Sequence, residues 1–414
     1  METLALFLLI LLAGYLGTGL VLRKISSRNF FPSGMEYLIL GLLLNPGLYY
    51  FLSSNLTFDI VSPINSEILS KMAPVISGVT GLIGLYWGMK FSLVELLKTN
   101  REQIRVAIYD SLLTTVIIGS AAFAFFYYFI DTTNNILEIL LASYALAVIG
   151  SMSSPYLLQK FREKYELTRK LTDSLYSATR FALFFSLIMF GAIFSFYNFN
   201  TRPTMQLTPI EFFTISIGIA ISIGILFFIF LGRESDTRKI FVGILGITML
   251  GSGIAYYLGL SPLFLCFILG ILLGNLSRIK EKVIDTIERM ISPLSIVLTI
   301  YAGIIWVLPD STAAWVVILS FPLIKVIAKF VTHKTAFIAA FEKDRVHSGQ
   351  GIIFLSSDIL VFALLINYAT VFNNQYTPII FSAIILNVLT LGFSASFFTK
   401  RFLVESSEIS GETK

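Results

Sequence analysis

The feature that most constrains the fold of this chain is a series of apolar runs, each about as long as a bilayer is thick. A helix needs about 20 mostly apolar residues to cross the hydrocarbon core. Thirteen such segments follow one another along the 414 residues, and they are continuous rather than alternating in polarity. Continuous runs are typical of membrane-spanning helices and exclude an outer-membrane barrel. The sequence therefore predicts an all-α polytopic membrane protein with about 13 transmembrane helices.

The low charge content agrees with this prediction, since 13% of the residues are charged and a soluble domain has about 25%. We expect residues 1–400 to form a single transmembrane domain and 401–414 a short cytoplasmic tail. The predicted spans, numbered 1 to 13, cover residues 2–22, 35–51, 72–90, 106–130, 136–158, 173–197, 210–232, 239–258, 260–275, 291–308, 312–332, 349–370 and 377–399.

The basic residues indicate how the chain is oriented. The loops after odd-numbered spans, together with the tail, hold 25 of the 30 Lys and Arg residues. Short loops rich in Lys and Arg stay on the cytoplasmic side of a membrane. We therefore predict a multi-pass protein of the cell membrane with its N-terminus outside and its C-terminus in the cytoplasm.

Residues that usually carry catalysis or bind metals are scarce. The chain has one cysteine, Cys266, and two histidines, His333 and His347. Phosphate-binding loops, paired cysteines and metalloprotease or esterase motifs are absent from the sequence. We expect no enzymatic activity, no cofactor and no metal centre, and we expect both histidines to be solvated in a charged loop.

Two stretches of the sequence recur later in the chain. Leu38–Leu44 in span 2 parallels Phe267–Leu273 in span 9, and Tyr86–Gly88 in span 3 parallels Tyr301–Gly303 in span 10. Both matches are offset by seven spans, so the paired helices would cross the membrane in opposite directions. An inverted repeat of this kind is typical of secondary transporters, although strings of leucine and glycine also recur by chance.

Helix-breaking residues interrupt the two spans that this repeat pairs as 5 and 12. Span 5 contains Gly150–Pro155, and span 12 contains Gly349–Gly351 and then Ser356–Asp358. Glycine and proline weaken a helix there, and a broken helix exposes carbonyl groups that can coordinate a cation. We predict broken helices 5 and 12, with three serines of span 5 and one of span 12 as candidates for an ion pathway: Ser151, Ser153, Ser154 and Ser357.

The sequence resembles the monovalent cation:proton antiporter superfamily, which includes sodium/proton exchangers and potassium-efflux antiporters. The resemblance depends on Met35–Pro46, Gly84–Lys90 and Leu258–Gly274, and on Lys325 and Lys329, which match the family's basic position in helix 11. It implies an antiporter fold and a homodimer that exchanges a monovalent cation for protons within a lipid bilayer. It also implies a scaffold and dimer part in spans 1–3 and 8–10, and a moving core in spans 4–6 and 11–13.

The sequence departs from the family pattern where ion-carrying members have acidic residues. Ser154 replaces the aspartate of helix 5, and Ser177 lies at the motif of helix 6. Two alternatives to cation:proton exchange therefore stay open. The chain could be a transport-incompetent scaffold or sensor subunit, or it could carry an anion or a neutral solute.

Four ionisable residues lie well inside the predicted spans, where charges are costly and are usually functional or paired. We expect Asp358 to pair with Lys325 or Arg180, and Lys329 to extend towards the cytoplasmic headgroups. Asp110 and Asp173 are expected near water at the starts of spans 4 and 6. Asp173 is also a candidate for proton entry, and the full set of pathway candidates adds Ser177, Arg180, Lys325, Lys329 and Asp358 to the serines named above.

Overall fold

All regular secondary structure is helical in the part of the protein that its computed structural model describes, namely residues 35–55, 64, 66–99, 101–130, 135–165, 170–201, 207–231, 236–276, 280–309, 311–340, 355, 359–372 and 374–405. A π-helical turn, Phe126–Ile130, continues the fifth α-helix. The α-helices, numbered in chain order, are α1 Met35–Leu43, α2 Pro46–Asn55, α3 Ser66–Lys90, α4 Leu93–Lys98, α5 Arg101–Phe125, α6 Ile136–Ser151, α7 Tyr156–Tyr165, α8 Lys170–Thr201, α9 Pro209–Leu231, α10 Thr237–Leu258, α11 Pro262–Leu276, α12 Lys280–Ile305, α13 Thr312–Ala340, α14 Ile359–Val371 and α15 Thr377–Glu405.

These helices agree with the predicted spans, since spans 2 to 13 each overlap at least one of them, while span 1 lies outside the described residues. Within the described part, seven helices are long and apolar enough to cross a membrane, and a bent pair within α15 makes an eighth. Three shorter apolar helices coincide with α6, α11 and most of α14. The chain is a multi-pass membrane protein, and the count of thirteen spans stays a prediction.

Span 5 is broken at the predicted place. α6 ends at Ser151 and α7 begins at Tyr156, so Met152–Pro155 form a buried non-helical segment. Met152 has the extended angles φ −57° and ψ 132°, and a residue before proline is likewise disfavoured in helix. The residues that were predicted to break span 12, Gly349–Gly351 and Ser356–Asp358, lie outside the described residues.

Glycines allow two pairs of helices to pack with their backbones in contact. A methyl group placed on Gly88 of α3 would lie 3.0 Å from Cα of Gly270 in α11. One placed on Gly41 of α1 would lie 2.9 Å from Cα of Gly303 in α12. Small residues at such contacts let membrane helices gain dispersion energy that larger side chains would prevent. We call α1, α3, α11 and α12 the glycine-packed helices.

The inverted repeat relates these two contacts to each other. In the repeat, Gly41 corresponds to Gly270 and Gly88 corresponds to Gly303. The contact between Gly41 and Gly303 is therefore equivalent to the contact between Gly270 and Gly88. The four glycines that recur in the sequence thus lie where the backbones touch, and Gly84 and Gly274 add further backbone contacts between α3 and α11.

An asparagine closes each of these two contacts. Nδ2 of Asn45 donates to the carbonyl of Trp306 at 2.5 Å, and Nδ2 of Asn275 donates to that of Phe91 at 3.0 Å. Phe91 and Trp306 each follow the tyrosine of the repeated motif by five residues. In both cases the asparagine Oδ1 accepts a backbone N–H bond of 2.7 Å. The bond to the carbonyl five residues after the tyrosine is thus common to both contacts, whereas the Oδ1 donor is Gly47 of the same segment for Asn45 and Leu93 of the facing segment for Asn275.

A second set of helices packs around α5, which contacts α6, α8 and α13, while α15 covers α13 and α6. α14 lies between the sets and contacts α12 and α3 as well as α15 and α6. Cys266 of α11 is 0% exposed among the glycine-packed helices and their neighbour α10. These contacts do not test the predicted division into scaffold and moving core, which stays a prediction.

Candidate functional site

The centre of the candidate site is a buried ion pair between α5 and α13. Nζ of Lys329 donates to Oδ2 of Asp110 at 2.8 Å and to Oδ1 at 3.0 Å. Asp110 is 1% exposed and Lys329 is 0% exposed. Charges removed from water are costly unless they are paired and hydrogen-bonded. Each of these two groups therefore depends on the other.

The ion pair is joined to the break in span 5 by Ser153. Nζ of Lys329 donates to the Ser153 hydroxyl at 2.8 Å, and this hydroxyl donates to Oδ2 of Asp110 at 3.2 Å. α6 ends two residues earlier, at Ser151. The carbonyl end of a helix carries a partial negative charge, which favours a cation beside the break.

Further polar groups lie around the same carboxylate. Nε2 of His333 lies 3.2 Å from Oδ1 of Asp110, and the Thr114 hydroxyl approaches Oδ1 at 3.5 Å. Thr114 also shares a hydrogen bond of 3.1 Å with Thr332 of α13. The carboxylate is thus surrounded by nitrogen and hydroxyl groups in a site that the protein closes off from water.

Lys325 brings another buried ammonium group to the same helix. Lys325, Lys329 and His333 are spaced by four residues along α13, so they lie on one face, and Lys325 is 0% exposed. Asp358, its predicted partner, lies outside the described residues together with Ser357. Within the described part, no group of three or more His, Cys, Asp and Glu residues could hold a metal ion.

Three expectations from the sequence are wrong at this site. Asp110 is not near water, because α5 begins at Arg101 and the aspartate lies nine residues inside the helix. Lys329 does not extend to the headgroups, because it is bonded to Asp110. His333 is not in a solvated loop, because α13 continues to Ala340, and the histidine is 3% exposed.

The other charged candidates are not part of this cluster. Nη2 of Arg180 donates to the carbonyl of Lys90 at 2.7 Å, which links α8 to the end of α3. Asp173 is half-exposed and pairs with Arg162 at 2.7 Å. Neither residue is placed beside the break by these contacts.

The serine candidates have different surroundings. Ser151 shares a hydrogen bond of 3.0 Å with Thr115 of α5 and so binds α6 to the helix that carries Asp110. Ser154 is buried in the break, and Ser177 is half-buried on α8. Ser153 bonds to both members of the ion pair.

Comparison with solved structures identifies the fold. No family model matches the sequence, and no curated protein matches it. The structure of the sodium proton antiporter MjNhaP1 from Methanocaldococcus jannaschii at pH 8 superposes with a TM-score of 0.64 and 13% identity, covering 100% of this chain and 99% of that chain. A structure of the same antiporter from an electron-microscopy map gives a TM-score of 0.61 and 16% identity, covering 100% of both chains. This chain therefore has the fold of a sodium/proton antiporter, as the resemblance in its sequence implied.

Proposed function

We propose that this protein is a secondary transporter that exchanges a monovalent cation for protons by alternating access. One observation carries the proposal: in an antiporter fold, the buried carboxylate of Asp110 is bonded to Lys329 beside the break in span 5. A buried ionisable pair at a broken helix is costly to maintain, and such positions are where transporters bind their ions.

The geometry supports a competition between the cation and Lys329 for the same carboxylate. A cation that binds Asp110 displaces the ammonium group, and Lys329, deprived of its counter-charge in a buried site, releases a proton. Ser153 and Thr114 supply hydroxyl oxygens that can complete the coordination of the cation. Return of a proton to Lys329 restores the ion pair and expels the cation.

The test is transport by purified protein in proteoliposomes that enclose a pH-sensitive dye. Adding sodium or potassium should dissipate a preformed proton gradient, and Asp110→Asn should abolish that response. Asp285→Asn removes an exposed carboxylate of α12. This control variant should still dissipate the proton gradient when sodium or potassium is added.

Several outcomes would contradict the proposal. If Asp110→Asn transports like the unchanged protein, Asp110 does not bind the cation. If no cation alters the gradient, the chain is a transport-incompetent relative. A response to anions instead of cations would assign a different substrate.

The proposal extends to the assembly. The glycine-packed helices would belong to the scaffold and dimer part of a homodimer, and the helices around α5 would move against them, with the C-terminus in the cytoplasm. Cross-linking and the sidedness of protease cleavage in sealed vesicles test these points.

A further inference from the structure

The end of α3 meets α8 at a contact that joins the glycine-packed helices to the helices around α5. Nη2 of Arg180 in α8 donates to the carbonyl of Lys90 at 2.7 Å, and Lys90 is the last residue of α3. The ring of Phe91 stacks on that of Phe184 with centroids 4.0 Å apart, and it meets the ring of Phe181 edge-on. We call Lys90, Phe91, Arg180, Phe181 and Phe184 the α3–α8 contact.

The bond between Arg180 and Lys90 is of a kind that can be broken and remade. The last carbonyl groups of a helix have no partner within the helix and carry a partial negative charge, so a guanidinium group stabilises them. Both residues are half-buried and line a cavity of about 210 Å³. When they separate, water can accept a bond from the guanidinium group and donate one to the carbonyl.

A second bond joins the two sets of helices at the far end of α12. Nε1 of Trp306, which follows the last residue of α12, donates to the buried hydroxyl of Ser382 in α15 at 2.8 Å. Glu288 of α12 lies 3.3 Å from Lys90, so the helix between Glu288 and Trp306 separates the two bonds by roughly 25 Å at 1.5 Å per residue. The carbonyl of Trp306 is also bonded to Asn45. This end is therefore built into the glycine-packed helices, and the α3–α8 contact is the end suited to open.

The α3–α8 contact is linked to the ion pair through α8. The Ser111 hydroxyl of α5 donates to the carbonyl of Ala182 at 3.1 Å. Ser111 follows Asp110 in the chain, and Ala182 lies two residues after Arg180. Because Ser111, Ala182 and Asp110 are all buried, α5 and α8 should move together. A shift of α5 at the ion pair is therefore transmitted to the Arg180 bond.

We propose that the α3–α8 contact is a latch, which is closed while Lys329 is bonded to Asp110 and opens when a cation takes the place of Lys329. The cation loosens the attachment of α5 to α13, α8 follows α5, and water replaces the bond between Arg180 and Lys90. The helices around α5 then turn against the glycine-packed helices about the end at Trp306. This inference rests on the proposed function, because the cation is what opens the latch.

Opening can be measured as the rate at which a methanethiosulfonate reagent labels Phe91→Cys in detergent, with the unaltered protein as the background. Phe91 is 6% exposed while the latch is closed, so labelling requires opening. Adding Arg180→Gln should speed the labelling about tenfold, because a charge-assisted hydrogen bond no longer holds the latch. Arg101→Gln removes an exposed arginine of α5 and should leave the rate unchanged. Equal rates with Arg180→Gln and with Arg101→Gln would overturn the latch.

The coupling to the ion pair has its own measurement. Sodium or potassium should speed the labelling of Phe91→Cys, whereas choline at the same concentration should not. Asp110→Asn should remove this response. Ser111→Ala keeps the carboxylate but removes the bond to α8, so it should weaken the response and provides the test if Asp110→Asn does not fold. A response to the cation that is equal with and without Ser111→Ala would overturn the coupling.

A cross-link separates the latch from the transport function. A short bis-methanethiosulfonate reagent that joins Phe91→Cys to Phe184→Cys should stop cation-driven proton flux in proteoliposomes, and reduction should restore the flux. The matched control joins Tyr86→Cys to Glu288→Cys within the glycine-packed helices, where the two native side chains lie 2.9 Å apart, and the reagent should not affect its flux.

The outcomes distinguish the latch from the proposed function. Undiminished flux through the cross-linked Phe91→Cys and Phe184→Cys protein would overturn the latch and leave the proposed function intact. If the unchanged protein moves no cation, the proposed function fails, and the opening by a cation fails with it. The effect of Arg180→Gln on labelling would then still show that the α3–α8 contact opens.

Discussion

Two regions of this molecule hold helices together by opposite means. The glycine-packed helices meet through backbone atoms at Gly41, Gly88, Gly270 and Gly303, where the facing backbone leaves no room for a methyl group. α5, the break in span 5 and α13 meet through Asp110, Lys329 and hydroxyl groups. When backbone atoms that pack against each other separate, no other group replaces the lost contact. When polar side chains separate, an ion or a water molecule can take the place of the lost partner. The first region is suited to stay fixed, and the second is suited to exchange partners.

The largest effect on stability should come from removing one partner of the buried ion pair. Lys329→Met leaves the Asp110 carboxylate without its counter-charge and should lower the free energy of unfolding by about 3–5 kcal/mol. Adding Asp110→Asn to the same chain should recover much of this loss, because the unpaired buried carboxylate is then neutral. Thermal unfolding in detergent measures both, and a double variant less stable than Lys329→Met would contradict the interpretation.

A methyl group at the glycine contact should have the next largest effect. Gly88→Ala would overlap the backbone of α11, and overpacking of this kind costs about 1–3 kcal/mol. Gly246→Ala is the matched control, since nothing lies within 4 Å of a methyl group there. The control should stabilise the protein by roughly 0.5–1 kcal/mol through the helix propensity of alanine. If both substitutions have the same effect on the unfolding temperature, α3 and α11 do not touch as described.

The two asparagines provide a sharper comparison within the glycine-packed helices. Asn45→Ala and Asn275→Ala each remove bonds to backbone groups of a neighbouring helix, and each should cost about 1–3 kcal/mol. Because the inverted repeat relates their contacts, the two losses should be similar. Differential scanning calorimetry of the two variants measures both stability losses. A much larger loss in one variant would show that one half of the repeat contributes more to stability than the other.

The smallest effect should come from the hydroxyl pair of Thr115 and Ser151. Each hydroxyl also has a carbonyl of its own helix within reach as an alternative acceptor, so Ser151→Ala leaves Thr115 with an acceptor for its proton. We expect a loss below about 1 kcal/mol, measured in the same unfolding assay. A loss as large as that of Lys329→Met would mean that the hydroxyl groups, not the ion pair, hold α5 to the break.

The sequence predicted the helices better than it predicted the site. Hydropathy, Gly150 and Pro155 are local signals, and they predicted the spans and the break of span 5. Lys325 and Lys329 were recognisable because charges inside apolar runs are rare. The burial of Asp110 is not evident from the sequence, because the apolar run begins at residue 106, whereas the helix begins at Arg101. A cue existed in α13, where Lys325, Lys329 and His333 share one face, but which helix faces them is a property of the tertiary packing.

The burial of Cys266 has a practical consequence. It is the chain's one cysteine, its side chain is 0% exposed, and its Sγ lies against α3 and α10. A thiol enclosed in this way does not meet reagents from water. The unaltered protein should therefore not react with maleimides. A cysteine introduced into any loop would be the one labelled residue, and its labelling would report which side of a sealed vesicle that loop faces.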